Sequence, residues 1–248
     1  MMSGSKQYKY KDSLVDSPTT AFRQYRDLCY GRTSLWYFLK SELIFTLTAG
    51  LSGALGLALR RWLYPSLFKS CGRKVIFGKN LTLRHARKIS LGDNVVLDDN
   101  VVVDAKGETN RGITIGDNVF VGRHTLIYCK NGDLILERDV NISSNSLLFS
   151  CHRLTIGEGT VIASFNEILS GGQYDTSGGA RPFSEQSGMI SRGPTTVGPN
   201  CWLAAQVVVA DGVTIGEHCV IGAGSVVMDD IPPNSLAVGA PAKPVRSL

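Results

Sequence analysis

From about residue 75 to the C-terminus an aliphatic residue returns at every sixth position, a spacing that few folds can use. Leu91, Leu97 and Val103 form one set, and Ile115, Val121 and Ile127 follow after one degenerate hexad around GETNRG. Leu136, Ile142 and Leu148 come next, then Ile156, Ile162 and Ile168, and finally Val197, Leu203, Val209, Ile215, Ile221 and Val227. The residue after each is often small, as at Gly92, Gly116, Gly122, Gly157, Gly198 and Gly216. A period of six fits neither an amphipathic helix nor the alternation of a hairpin sheet. It fits a short strand plus a tight turn, with one inward side chain per hexad and a small residue at the corner. Three hexads make a triangular coil, and stacked coils pair their strand edges around a continuous apolar column. A sandwich would space its turns by about 8–12 residues with no fixed phase. The expected fold is mainly β, a parallel β-helix over residues 75–248 behind a separate region over residues 1–74.

One stretch breaks the rhythm. NEILSGGQYDTSGGARPFSEQSG, Asn166 to Gly188, is polar and Gly-rich and separates Ile168 from Val197. It is expected to leave the coil stack as a loop over residues 169–194.

The stretches VTIGEHCVIGAGSVV and PPNSLAVGAPAKPVR resemble the hexapeptide-repeat acyltransferases, such as the sugar, serine and maltose O-acetyltransferases. The likeness runs from Val75 to the C-terminus. It implies a left-handed wind, whereas ordinary parallel crossovers are right-handed. It also implies a homotrimer, sites between neighbouring subunits, and acetyl-CoA as the donor lying along the groove. In that family a His near the start of the loop, in patterns such as G-G-H, deprotonates the acceptor as it attacks the thioester. ILSGGQYD places Gln173 at that position. An amide neither gains nor loses a proton near neutral pH, and losing a general base costs about 10²–10⁴-fold in rate.

Other family features carry over. Asn145, in ISSNSLLFSCHRLTIG, stands where the family places an Asn near the acceptor, and Trp202, in GPNCWLAA, matches the tryptophan beside the site. Gly198, Ala204, Ala205, Gly222 and Ala223 are small enough to let a pantetheine arm lie along the corner. Arg181 and Gln186 resemble the family's R-P-I-x-E-Q stretch that returns the chain to the next coil. Each has a plainer reading: small residues serve turns, Trp202 shields the core, and Asn145 bonds a corner backbone.

Among the four histidines, His152 is the candidate base. It follows Leu148 by four positions as Gln173 follows Ile168 by five, which would set it about 4.8 Å beneath Gln173. Gln173 or Asp175 would orient it or the acceptor; the alternative is an ordinary corner histidine. Asp175 itself, with an ordinary carboxylate pKa near 4, would be a poor base. His85 belongs to an irregular first coil, His124 lies about two coils below the loop, and His218 occupies a variable corner. No metal is expected, because a zinc enzyme on this solenoid needs three His ligands and these four lack the spacing.

The front of the chain differs in kind. Residues 43–59, LIFTLTAGLSGALGLAL, carry no charge and end at Arg60 and Arg61. An apolar helix is expected over about 36–64, at the short end of what spans the roughly 30 Å of bilayer hydrocarbon. Aromatic and Arg flanks suit an interface, and Gly50, Gly53 and Gly56 give a smooth face for helix contact. Three readings stand: the run spans, dips into one leaflet and returns, or packs as a buried helix on the body. Positive charge on both sides favours dipping and returning. Residues 1–90 hold 16 Lys and Arg against 4 Asp and Glu, and the rest 10 against 17. That asymmetry suits an anionic membrane surface. MMSGSKQYKYKD is neither a signal peptide nor a myristoylation start, and six cysteines without CxxC pairing read as reduced thiols. A nucleic-acid partner is not expected, for no binding module interleaves aromatic and basic residues.

The expected protein is a membrane-associated acyltransferase at the cytoplasmic face. It would move an acetyl group from acetyl-CoA to a hydroxyl, of a sugar in glycan or polysaccharide synthesis. The alternative is a catalytically silent trimeric scaffold or ligand-binding protein at the membrane.

Overall fold

The inward aliphatics do what their period requires. In the computed structural model, which describes residues 20–174, 176 and 189–248, none of the eighteen is more than 4 % exposed. Seven three-stranded coils stack, over residues 70–84, 89–104, 113–129, 133–150, 153–170, 195–209 and 214–227. Equivalent strands pair in parallel into sheet A of seven strands, sheet B of nine and sheet C of seven. A partial eighth turn follows: Ile231 bridges Ile215, Ser235–Gly239 joins sheet B, and Ala242–Ser247 closes that sheet antiparallel.

Two corners are turned by residues of positive φ. Between sheets A and B stand Lys74, Asn94, Asn118, Asp139, Asn200 and His218; between B and C stand Asn80, Asn100, His124, Asn145, Phe165 and Gln206. Asn is frequent because its short polar side chain tolerates the left-handed region. It also ladders between coils: Asn94 Nδ2 donates to Asn118 Oδ1 (3.0 Å), and Asn118 Nδ2 to Asp139 Oδ1 (2.9 Å).

The lower end of the apolar column needs a cap, as every solenoid end does. Helices α1 (Ala21–Cys29), α2 (Leu35–Thr48) and α3 (Gly53–Leu63) lead through a 3-10 turn (Tyr64–Leu67) into the first coil. Tyr64 and Leu67 are fully buried, and Phe68 stacks on Phe77 of the first coil with ring centroids 5.6 Å apart. Ile44 of α2 joins the same core cluster, and Tyr37 Oη donates to Leu67 O at 2.7 Å.

The single apolar helix expected over about 36–64 is therefore two helices broken at residues 49–52. The break has a physical cause. Gly53 turns at φ 72°, and a Cβ on Gly56 would lie 2.1 Å from Leu51 O, so α3 sits directly against the backbone of the turn. Arg60, 3 % exposed, then satisfies the turn: Nη1 donates to Thr48 O (3.0 Å) and Leu51 O (2.7 Å), and Nε to Phe77 O (3.0 Å). Among the described residues no helix is long and apolar enough to cross a membrane.

Candidate active site

Departures from the six-residue step gather at one corner. From sheet C back to sheet A the inward aliphatics are 12 apart between Val103 and Ile115, 9 between Ile127 and Leu136, and 8 between Leu148 and Ile156. The step is 29 between Ile168 and Val197, and it returns to six between Val209 and Ile215. Extra residues confined to one corner bulge outward without disturbing the ladders. The lower insertion is a built loop: Asn131 Oδ1 accepts the Glu108 and Thr109 amides, and Asp133 Oδ1 accepts those of Arg111 and Gly112. The Asn166–Gly188 stretch leaves from this same corner, higher in the stack.

Its exit is tightly specified. Gly171 and Gly172 adopt φ 115° and 96°, and a Cβ on Gly171 would lie 1.8 Å from Cys151 Sγ. Gln173 and Ile190 then form a two-residue antiparallel neck, Gln173 N donating to Ile190 O (3.2 Å) and Ile190 N to Gln173 O (2.7 Å). The returning chain is pinned by Asp211, which is 2 % exposed and accepts Arg192 N at 2.6 Å and Ser191 Oγ at 2.8 Å. Thr195 Oγ1 donates to Leu169 O at 2.8 Å. Asp175, Arg181 and Gln186 lie outside the described residues.

Sequence reasoning overlooked Asp211, although a signal was there. One coil below, the equivalent inward position is Ser170, and below that Ser150, each fully buried and bonded across the corner to a carbonyl. A carboxylate in a slot otherwise filled by a small hydroxyl is there for another reason, and Asp211 fastens the loop's return.

His152 stands at the corner between Leu147–Ser150 and Arg153–Ile156, exposed to solvent. Its amide donates to Ser170 O (3.3 Å) and its carbonyl accepts from Asp133 N (2.9 Å). The ladder Leu148↔Ile168 and Ser150↔Ser170 runs without a bulge, so His152 comes level with Gly172, one residue short of Gln173. The sequence spacing placed it directly below Gln173; unequal counts of four and five along a parallel ladder give that one-residue offset. The neighbouring Cys151 thiol is pushed up in pKa by burial, so it is no ready nucleophile. Beside the neck, Phe149 is 3 % exposed and packs on Tyr128 with ring centroids 4.6 Å apart.

The remaining candidates sit elsewhere on the prism. Asn145 is an exposed corner residue between sheets B and C at φ 61°. Stacked above it at that corner come Phe165, then Ala204, Ala205 and Gln206, then Gly222, Ala223 and Gly224. Trp202, 52 % exposed, points outward from sheet B between Val161 and Val220. A Cβ on Gly222 would lie 2.7 Å from Val238 Cγ1, so that glycine makes room for the C-terminal hairpin. Phe165 was not singled out by sequence. It is 59 % exposed at φ 64°, a strained place for a bulky side chain. Within one chain, then, Gly198 stands at the A/B corner, Asn145, Ala204, Ala205, Gly222 and Ala223 share the B/C corner, and His152 and Gln173 share the C/A corner. A four-residue strand of sheet C, about 13 Å long, separates the last two.

Of the other histidines, His124 and His218 are exposed corner residues. His85 is 7 % exposed and its Nδ1 lies 3.0 Å from Asp104 Oδ1, a structural pair beneath α1. Among the described residues no group of three His, Cys, Asp or Glu side chains could hold a metal ion.

Comparison with known proteins agrees with this architecture. Residues 194–228 match the bacterial transferase hexapeptide (six repeats) and residues 88–105 the hexapeptide repeat of succinyl-transferase. Galactoside O-acetyltransferase of Escherichia coli is 33 % identical over 135 residues, covering 54 % of this chain and 64 % of that protein. With the solenoid, these matches support the resemblance to the hexapeptide-repeat acyltransferases over the repeat region. The polySia-specific acetyltransferase NeuO superposes with a TM-score of 0.54 at 23 % identity over 71 % of this chain and 80 % of that one. AntD, an N-acyltransferase from Bacillus cereus solved with coenzyme A and dTDP-4-amino-4,6-dideoxyglucose, gives 0.51 at 20 % over 73 % and 83 %. Both share the fold. The chain spans roughly half to two-thirds of the length of the curated relatives it matches.

Proposed function

We propose that the chain transfers an acetyl group from acetyl-CoA to a hydroxyl of a sugar. The observation that carries this reading is the loop neck at Gln173, anchored beside an exposed histidine on a hexapeptide solenoid. Galactoside O-acetyltransferase and AntD supply the analogy for sugar acceptors, and the AntD complex that for a CoA donor. His152 takes the proton from the acceptor hydroxyl as its oxygen attacks the thioester carbonyl. The tetrahedral adduct collapses, the carbon–sulfur bond breaks, and the leaving thiolate recovers the proton as CoA-SH. Because the two corners face different ways on one chain, the B/C corner of a neighbouring copy completes the site, as expected of a homotrimer with a left-handed wind. Asn145 and Trp202 then meet the acceptor and donor from the next subunit. The basic front would hold the enzyme at the cytoplasmic face of an anionic membrane, within reach of a lipid-linked glycan or polysaccharide precursor.

A second reading has its own observation. Gln173 occupies the position of the family base and cannot move a proton, which suits a silent trimeric scaffold. Acetyl-CoA binding by calorimetry and turnover with a panel of sugar acceptors separate the two. Micromolar donor binding with turnover that falls at least about tenfold in His152→Ala supports the transferase with His152 as base. Turnover unchanged in His152→Ala removes His152 from the chemistry, and no donor binding at millimolar concentration leaves the scaffold.

A further inference from the structure

Helix α2 carries large apolar side chains on its outer side as well as its inner one, which a helix against water should not. Its inner side, Tyr37, Phe38, Ser41, Ile44 and Thr48, is buried on the body. Its outer side repeats Leu39, Leu43 and Leu47 at four-residue steps, exposed by 52, 60 and 58 %, with Trp36 beside them at 75 %. Helix α3 continues the surface with Leu55 at 67 % and Trp62 at 79 % exposure. Scattered exposed apolar residues need no explanation, but a contiguous patch of this extent marks an interaction surface.

Two observations select its occupant. The surface belongs to a basic region: residues 20–90 hold thirteen Lys and Arg against only Asp27 and Glu42. Of these, Arg23, Arg32, Arg61, Lys69, Arg73, Lys74 and Arg87 are exposed, Arg73 in an ion pair with Asp93. Exposed Leu and Trp on a strongly basic region are the chemistry of an anionic bilayer interface. Second, the turn between α2 and α3 is prepared for a place without water. Arg60 bonds the Thr48 and Leu51 carbonyls from the protein side, and backbone acceptors in lipid must be satisfied internally.

We infer that the outer faces of α2 and α3 form a monotopic docking surface for anionic lipid. The hairpin lies in the interface with its Leu row and two tryptophans among the headgroups and upper acyl chains, and the solenoid stands on it in water. The inference rests on the membrane location proposed above and gives that location a surface. At about 21 Å, α2 is too short to cross the hydrocarbon core.

The three tryptophans supply the test, since Trp36 and Trp62 lie on this surface and Trp202 on the solenoid. The full chain is mixed with vesicles of phosphatidylcholine with 30 % phosphatidylglycerol, or of phosphatidylcholine alone, and bound protein is measured by sedimentation. The expected result is binding to the anionic vesicles at least tenfold stronger than to the neutral ones. Leu39→Glu/Leu43→Glu/Leu47→Glu should lower it at least tenfold with an unchanged circular dichroism spectrum. Brominated acyl chains should quench the native protein but not Trp36→Phe/Trp62→Phe, which retains only Trp202. Native protein left in the supernatant with both vesicle types overturns the inference. So does equal binding by the triple variant, or a triple variant that changes only the oligomeric mass, which would make the surface a protein interface. No donor or acceptor is present, so failure here leaves acyl transfer standing, and absence of transfer leaves lipid docking standing.

Discussion

The solenoid and the helical hairpin use aliphatic residues in opposite ways. In the coils, eighteen Leu, Ile and Val side chains are withdrawn to 4 % exposure or less. In α2, every fourth residue from Leu39 to Leu47 stays more than half exposed. Both regions are rich in Leu, so hydrophobicity does not distinguish them. Partnering does. Each coil between the ends finds a coil above and below, whereas α2 packs on the solenoid and on α1 and, among the described residues, leaves Leu39, Leu43 and Leu47 exposed. A strand ladder buries its inward row by stacking. A helix with two apolar sides needs a second partner for the outer one.

Substitutions in the two regions should separate these two uses. The largest effect is expected in the column, where Ile142→Ala leaves a cavity and lowers unfolding free energy by about 2–5 kcal/mol. Leu43→Ala, an equally drastic change in composition, should stay within about 0.5 kcal/mol in detergent-free buffer. Urea unfolding of the two variants reads both, and equal losses would mean that the hairpin's outer face is packed in solution. Next comes Arg60→Leu, which removes a side-chain donor from three carbonyls and should destabilise the hairpin by about 1–3 kcal/mol. Hydrogen exchange at the end of α2 should accelerate while the upper coils stay protected; uniform acceleration would make hairpin and solenoid one cooperative unit.

The smallest effect concerns α1, where Tyr25 and Tyr30 both donate to Glu42 Oε1, at 2.8 and 2.7 Å. The hydrogen bond to Glu42, then burial, push the Tyr25 phenol up to about 12; burial, then Glu42, raise Tyr30 further. Raised acids hold their protons longer in the folded state. Their stabilisation is therefore complete below the ordinary phenol pKa near 10 and is lost as pH rises through about 12. Tyr25→Phe should flatten the fall in stability between about pH 10 and 12, measured by thermal melts. A native slope no steeper than that of the variant would show that Glu42 does not hold α1.

Much of the fold was legible because its signal is local. The six-residue step from Leu91 to Val103, or from Ile156 to Ile168, states the strand, the corner and the inward position within a few residues. The corner where steps lengthen was legible too, since GETNRG and the Asn166–Gly188 stretch both interrupt the count there. The candidate site was legible only in part. Gln173 lies at a neck where the count breaks, and His152 comes level with Gly172 instead, because a parallel ladder pairs residues at equal offsets from the inward pair. Asp211 and Phe165 were passed over. Their importance comes from burial against a returning loop in one case and from positive φ with exposure in the other, and neither shows in residue type alone.

The stacking follows from the amino-acid order alone, through a period that only a coil of three short strands can satisfy. So does the charge contrast between the basic front and the acidic body. Where the apolar run of residues 43–59 breaks, which side of α2 faces the column, and which candidate residues share a corner were settled only when the chain packed. Those outcomes depend on partners far apart in the chain, as when Arg60 reaches Thr48, Leu51 and Phe77 together. A local pattern can specify a strand and its inward side, but the surface left without a partner exists only once the remaining surfaces have found theirs.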